Sequence, residues 1–446
     1  MIDAVLLALL AGLMHAARTF STGGAAPAGT SLGFGYLLLT AFLSGRIFAA
    51  ARLPKLTGYI AAGVVVGPSV LGFLDATVVD NLQIVNGVAV SLIALTAGTE
   101  LRLARIRPLA RTIGITTAMG VIGGALAIAA TLLLLRGQLA FLSALPALQA
   151  TAVALVLGVV LVAQSPAVVV ALSDELRADG PVTRVVLGVV VLADLFVIVL
   201  FALTSAVAKV TLGIAGGARD AIGHITWELL GSIVAGFVLA ALLAAYLRWV
   251  RRGATLFVLA AAFVVAEVGQ RIGFDALLVS LTAGVLIRNL TRHGDELHEL
   301  VAGASLPVYV IFFAVTGAKL HLSAVPPVAV PVLAIVAVRA ASLLTAGRVG
   351  ARAAGAPPEV ARWAPFGLLP QAGVALALAL LFARAFPEFG GEASAVALGV
   401  VAMNELVAPA VYRLALLRSG EAGRVAARAT PAPATVRSGT RETEPG

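Results

Sequence analysis

The sequence predicts an all-α, polytopic membrane protein of 13 or 14 transmembrane helices. Three observations carry that prediction. Of 446 residues 60% are hydrophobic and only 12% are charged. Mean hydropathy is +1.04. Apolar stretches about as long as a bilayer-crossing helix recur along nearly the whole chain. This composition excludes a soluble enzyme, a disordered chain and a nucleic-acid binder, despite a net charge of +9. With no Cys, disulfides, thiol nucleophiles and thiolate metal sites are excluded too.

A hydrocarbon core of roughly 30 Å needs about 20 apolar residues per helix. Thirteen stretches between charged or Pro/Gly-rich breaks meet that need: 31–49, 56–74, 82–100, 110–135, 147–173, 184–207, 226–248, 254–270, 274–290, 299–319, 328–350, 360–384 and 392–417. A fourteenth, 2–19, is shorter and lacks the basic start of a cleaved signal peptide, so the N-terminal segment 1–30 reads as holding an extra span. Twenty-three Lys and Arg residues fall in one set of alternate loops and seven in the other, with Arg339 left inside a span. The positive-inside rule makes the richer set cytoplasmic, and the C-terminus with it. Residues 418–446, polar and rich in Ala, Arg and Pro, read as a disordered cytoplasmic tail. The run from Arg292 through His293, Asp295, Glu296 and His298 to Glu299 reads as a solvated helix start, with a pH sensor or an adventitious metal site as the lesser alternative.

Three charges do not belong where they are. Asp194, Arg339 and Glu405 each fall near the middle of a span, where an unpaired charge costs roughly 2.5 to 3.5 kcal/mol on insertion scales and marks function by default. One arginine compensates one carboxylate well. If Arg339 pairs with Glu405, Asp194 is a lone acid that must hold a proton or a cation to be tolerated. If Arg339 pairs with Asp194, the arginine is a competitor displaced by an arriving cation. The sequence leaves both pairings open.

Two spans carry helix-breaking residues at the same depth. Gln164-Ser165-Pro166 lies midway along 147–173, and Pro370-Gln371-Ala372-Gly373 midway along 360–384. Pro166 and Pro370 remove helix hydrogen bonds and Gly373 adds freedom, so both spans are expected to unwind locally. Unwound carbonyls with Ser165 and Gln371 would supply neutral oxygen ligands to a hard monovalent ion. Each of two six-helix sets, 31–207 and 254–417, has its interrupted member fifth and a buried acid, Asp194 or Glu405, on its sixth. The segment 208–253, with its one helix, makes the two sets enter the membrane from opposite sides. That order describes an inverted repeat with its site at the midplane.

The ordered motifs resemble a known family. Leu53-Pro54, Thr57-Gly58-Tyr59 and Gly67-Pro68-Ser69 are followed by Gly98-Thr99-Glu100-Leu101, Ser165-Pro166, Gly180-Pro181 and Asp194. Then come Ala283-Gly284, Asn289, Phe312-Phe313, Gly317-Ala318, Leu368-Leu369-Pro370-Gln371-Ala372-Gly373, Asn404-Glu405-Leu406 and Pro409. Over most of 31–417 the chain is similar to bacterial monovalent cation:proton antiporters. The resemblance implies a mobile core domain with two crossed broken helices, moving against a dimerisation domain. It also implies a homodimer in the bacterial plasma (inner) membrane, with 226–248 and 31–49 near the interface. Asp194 matches the family's essential aspartate and Arg339 its basic residue near the helix crossing. The family often has a second polar or acidic residue before the aspartate, where this chain has Ala193. One exchangeable carboxylate implies electroneutral exchange of one Na+ or K+ for one H+. No resident metal, cofactor or enzymatic residue cluster is expected. A sodium-coupled symporter of a small organic anion is the rival carrier reading, and an ion channel the rival from another class.

Overall fold

The computed structural model describes residues 2–20, 30–214, 218–250, 252–320, 328–371, 373–386 and 390–424. Among them there is no β-strand. Fifteen helices carry the architecture: α1 Ile2–Phe20, α2 Thr30–Ala50, α3 Lys55–Val66, α4 Gln83–Glu100, α5 Ala110–Leu134, α6 Ala147–Val162, α7 Pro166–Leu176, α8 Pro181–Thr211, α9 Ala218–Trp249, α10 Ala254–Ile272, α11 Ala276–Leu290, α12 Gly294–Ala318, α13 Ala329–Ala353, α14 Gly373–Ala385 and α15 Gly390–Arg418. Helices dominate because lipid offers no partner to backbone N–H and C=O groups, which must satisfy one another within each segment. Seven helical stretches among the described residues are long and apolar enough to cross a membrane, and six shorter apolar ones accompany them.

Helix ends follow local chemistry. The stretch expected at 56–74 stops being helical after Val66. Gly67 precedes Pro68, whose ring disfavours a helical residue before it, and the chain turns back through Gly72 at a φ of +59°. The helix that carries the span expected from 299 begins five residues earlier, at Gly294, with Asp295 and Glu296 in the first turn where the helix dipole favours acids. The Asp275 carboxylate accepts the Leu278 N–H at 2.7 Å and so caps α11.

The helices pack as two groups. In one, the panel, α2, α3 and α12 pack together, α4 contacts α10, α11 and α12, and α9 lies on α11. Here α4 and α11 approach so closely that a Cβ on Gly98 would stand 2.5 Å from the Leu281 carbonyl, and one on Gly284 2.6 Å from that of Leu95. Small residues permit that backbone contact, the usual packing device in lipid. The other group, the core, joins α5, α6, α8, α13, α14 and α15, with α7 against α8 and α15. The groups meet along a seam where α7 and α15 face α3, α7 faces α4, and α8 faces α9.

The tail expected from residue 418 does not start there. Residues 418–424 are docked on the core: the buried Glu421 carboxylate accepts the N–H groups of Val182 and Thr183, each at 2.8 Å, and the Thr183 hydroxyl at 2.7 Å. The Gly423 N–H reaches the Leu176 carbonyl at 2.8 Å. An acid at the N-terminus of α8 satisfies orphan donors that no other side chain caps. Residues 425–446 lie outside the described residues, as do 21–29 of the N-terminal segment.

Candidate functional site

The site is built where two interrupted helices of the core meet. The first, α6, ends at Val162, and α7 begins at Pro166, so residues 163–165 form a non-helical break. Ser165 is extended, and its hydroxyl accepts the Val168 N–H at 3.3 Å, capping α7. Pro166 occupies the first helical position, where its missing N–H costs nothing. In the second, a tight helical turn over Ala364–Leu368 gives way to a non-helical stretch through Leu369, Pro370 and Gln371. Helix α14 then starts at Gly373.

The two breaks are stitched together. The Ser165 N–H donates to the Pro370 carbonyl at 3.0 Å. The Gln371 amide donates to the Leu161 carbonyl at 2.9 Å. The Asn404 amide nitrogen donates to the Gln371 side-chain oxygen at 3.1 Å and to the Val400 carbonyl at 2.9 Å.

Arg339, with 0% exposure, clamps this crossing. Its Nε donates to the Leu161 carbonyl, its Nη2 to that of Ala163 and its Nη1 to that of Leu369, each at 2.8 Å, with the Asn404 oxygen at 3.5 Å from Nη1. These carbonyls are free only because the helices break, and they carry the negative end of a helix dipole. A planar guanidinium with five donors suits several such acceptors at once. Both carboxylate pairings considered for Arg339 are therefore corrected: among the described residues neither Asp194 nor Glu405 forms an ion pair or hydrogen bond with it. The charge it answers is spread over backbone.

Two acids are thereby left over. Asp194 is 4% exposed and stands on α8, which packs along α6 and α7. Glu405 is 1% exposed on α15, next to Asn404. No described protein group hydrogen-bonds to either oxygen of either carboxyl. The structure thus brings Ser165, Pro370, Gln371 and Arg339 into one hydrogen-bonded crossing. Asp194 and Glu405 stand on helices packed against it. Ser165 and Gln371, expected as ligands, already use their side-chain oxygens within the scaffold.

Three further residues complete the picture. Gln164 is buried within the first break, and neither end of its amide has a partner. It was visible in the sequence as part of the break, but the hydroxyl beside it drew the ligand assignment. Asn404 holds the crossing through Gln371 and could have been found as a polar neighbour of Glu405. Asp275, on the turn between α10 and α11, lies within electrostatic range of Asp194, as Glu228 does of Asp275. Nothing in the sequence distinguishes Asp275 from an ordinary loop acid.

At the basic side of the molecule, Arg102 and Arg288 converge on Asp295 at 2.7 and 2.5 Å. The Arg288 hydrogen bond holds the Asp295 carboxyl below its ordinary value. His298, beside the Thr99 hydroxyl at 3.1 Å, is pushed down by burial.

Comparison with known proteins agrees with this architecture. Residues 37–417 match the family described as "Sodium/hydrogen exchanger, transmembrane". Two structures of the sodium proton antiporter MjNhaP1 from Methanocaldococcus jannaschii share the fold. One, at pH 8, has a TM-score of 0.63 and 16% identity, covering 87% of this chain and 98% of that one. The other, from electron microscopy, has a TM-score of 0.66 and 15% identity, covering 89% and 96%. A curated relative, the iron transporter MagA of Paramagnetospirillum magneticum (strain ATCC 700264 / AMB-1), is 31% identical over 163 residues, 36% of this chain. The match spans 34% of that relative's length.

Proposed function

Because the chain belongs to the sodium/hydrogen exchanger family, we propose that it is a secondary transporter exchanging a monovalent cation, Na+ or K+, for H+ by alternating access. The observation that carries this reading is Asp194, buried in the core without a hydrogen bond to either oxygen while Arg339 is engaged by carbonyls. A bare carboxylate there is costly, so it takes a proton or a cation. Both loaded forms are neutral and let the core move along the panel. The empty, charged form does not, and that rule couples the two fluxes. The Gln164 amide oxygen and carbonyls of the two breaks supply the other ligands, with Ser165 and Gln371 fixing their positions.

One carboxylate with neutral oxygens matches a single positive charge. Iron, the cargo named for one relative, would leave excess charge in a dry core. With Ala193 preceding Asp194, exchange is one for one and electroneutral. Repeats 31–207 and 254–417 are related by inversion about the crossing, giving 13 spans, or 14 with α1, and α9 and α2 meet a second copy in a homodimer. The protein lies in the bacterial inner membrane with its C-terminus in the cytoplasm, as the distribution of Lys and Arg supports.

The test is cation-dependent proton flux in proteoliposomes. Asp194→Asn, which keeps shape but cannot exchange its charge, is expected to fold normally and lose exchange by at least two orders of magnitude. Flux at the wild-type rate would overturn the assignment.

A further inference from the structure

We propose that a three-point latch, centred on Tyr309 and Asp174, holds the core against the panel at the basic end of the seam and is the inner gate of the transport cycle. This inference rests on the alternating-access reading and adds to it the residues that must part before the site opens to the cytoplasm. The Tyr309 hydroxyl, on α12 of the panel, donates to the Asp174 carboxylate on α7 of the core at 2.7 Å. The Glu175 carboxylate accepts the N–H of Lys55 at 3.3 Å. Lys55 opens α3, which starts without a side-chain cap of its own. Arg413 on α15 donates to the Arg52 carbonyl, just before α3, at 2.9 Å. Lys55 and Arg413 also lie within electrostatic range of Glu175.

These contacts form a gate because each side of them is one body. On the panel, α3 and α12 touch backbone to backbone: a Cβ on Gly63 would overlap the Ala314 carbonyl, and one on Gly317 that of Ile60. On the core, α7 runs unbroken from the helix crossing to the latch. Ser165 at its start and Asp174 near its end, roughly 14 Å apart along the axis, therefore move together. Parting the latch swings the site's own helix away from the panel. Helix α12 has a place to yield, since Pro307, just before Tyr309, removes a helix hydrogen bond there. A hydrogen bond to a charged group shifts an equilibrium roughly ten- to a hundredfold. That is enough to hold one state and little enough to break in every cycle.

The chain has no Cys, so Ala171→Cys, on α7 one turn before Asp174 and 2% exposed, places a single thiol behind the latch. Its reaction with a membrane-impermeant maleimide is followed in everted and right-side-out vesicles. Tyr309→Phe, which keeps the ring and removes the donor, should raise the labelling rate from the cytoplasmic face about tenfold and leave that from the outer face unchanged. Asp174→Ala should do the same, and the double variant no more than either alone, since all three lose the same bond. Arg413→Gln, on a different helix, should raise labelling from the same face and multiply with Tyr309→Phe. Unchanged labelling in Tyr309→Phe, or an equal rise from both faces, would overturn the gate. The readout needs no flux: in Asp194→Asn, which is expected to lose exchange, the cytoplasmic increase should persist. The gate and the exchanger reading can thus fail separately.

Discussion

Arg339 looks like a counter-ion in the sequence and acts as a helix-end cap in the structure. Charge can be read from composition, but a free carbonyl exists at no particular residue until a helix breaks, so its partners at Leu161, Ala163 and Leu369 were not legible. Arg339→Ala leaves those three acceptors without donors in a dry core. At about 1–3 kcal/mol for each unsatisfied group, the variant should lose several kcal/mol, read as a large fall in thermal midpoint in detergent. Lys, with a point charge in place of a fork, should recover only part of it. His298 makes a different prediction. Burial pushes its pKa below the ordinary 6.5, so the folded state holds it neutral and the unfolded state binds the extra proton. Its contribution is complete above pH 6.5 and is lost as pH falls through the folded value. His298→Gln should therefore flatten the decline of thermal midpoint below that pH. An unchanged acid limb would show that another group sets it.

Among the elements, helix positions were the most legible feature, because lipid demands long apolar segments and tolerates few charges within them. Segment ends were less so. Gly67-Pro68 shortens α3 by local backbone sterics, which hydropathy does not register. Both interruptions in the core were visible from Pro166, Pro370 and Gly373, since helix breakers act locally. Which oxygen each break leaves free was not: the Ser165 hydroxyl is spent three residues on, capping α7 at Val168, and the Gln371 oxygen is consumed by Asn404, which is distant in sequence. Glu421 was missed for the same reason: its donors, Val182 and Thr183, lie at the start of α8, more than two hundred residues earlier. Glu421→Ala uncaps the helix that bears Asp194. The expected cost is about 1–2 kcal/mol, with faster amide exchange confined to the first turn of α8. Uniform loosening of the whole core would mean that residues 418–424 act as a general brace.

For the whole molecule, the question is how many charges the core moves per cycle, and Glu405 makes it sharp. It is as buried as Asp194 and equally without a hydrogen-bonding partner, so two carboxyls in the core need neutralising. The distinction lies in their surroundings. The helices that bear them, α8 and α15, both pack on α6, α7 and a helix of the panel, but Asp194 has a second acid, Asp275, in electrostatic range. Among the described residues no charged group lies at that range of Glu405. On the proposed reading Glu405 keeps its proton through the cycle and only Asp194 exchanges. At zero membrane potential net flux should then vanish when the cation ratio across the bilayer equals the proton ratio, and imposing a potential should not move that point. Glu405→Gln, neutral by construction, should leave the balance point unchanged. A balance at the square of the proton ratio that reverts to the first power in Glu405→Gln would make Glu405 a second carrier and the exchange electrogenic.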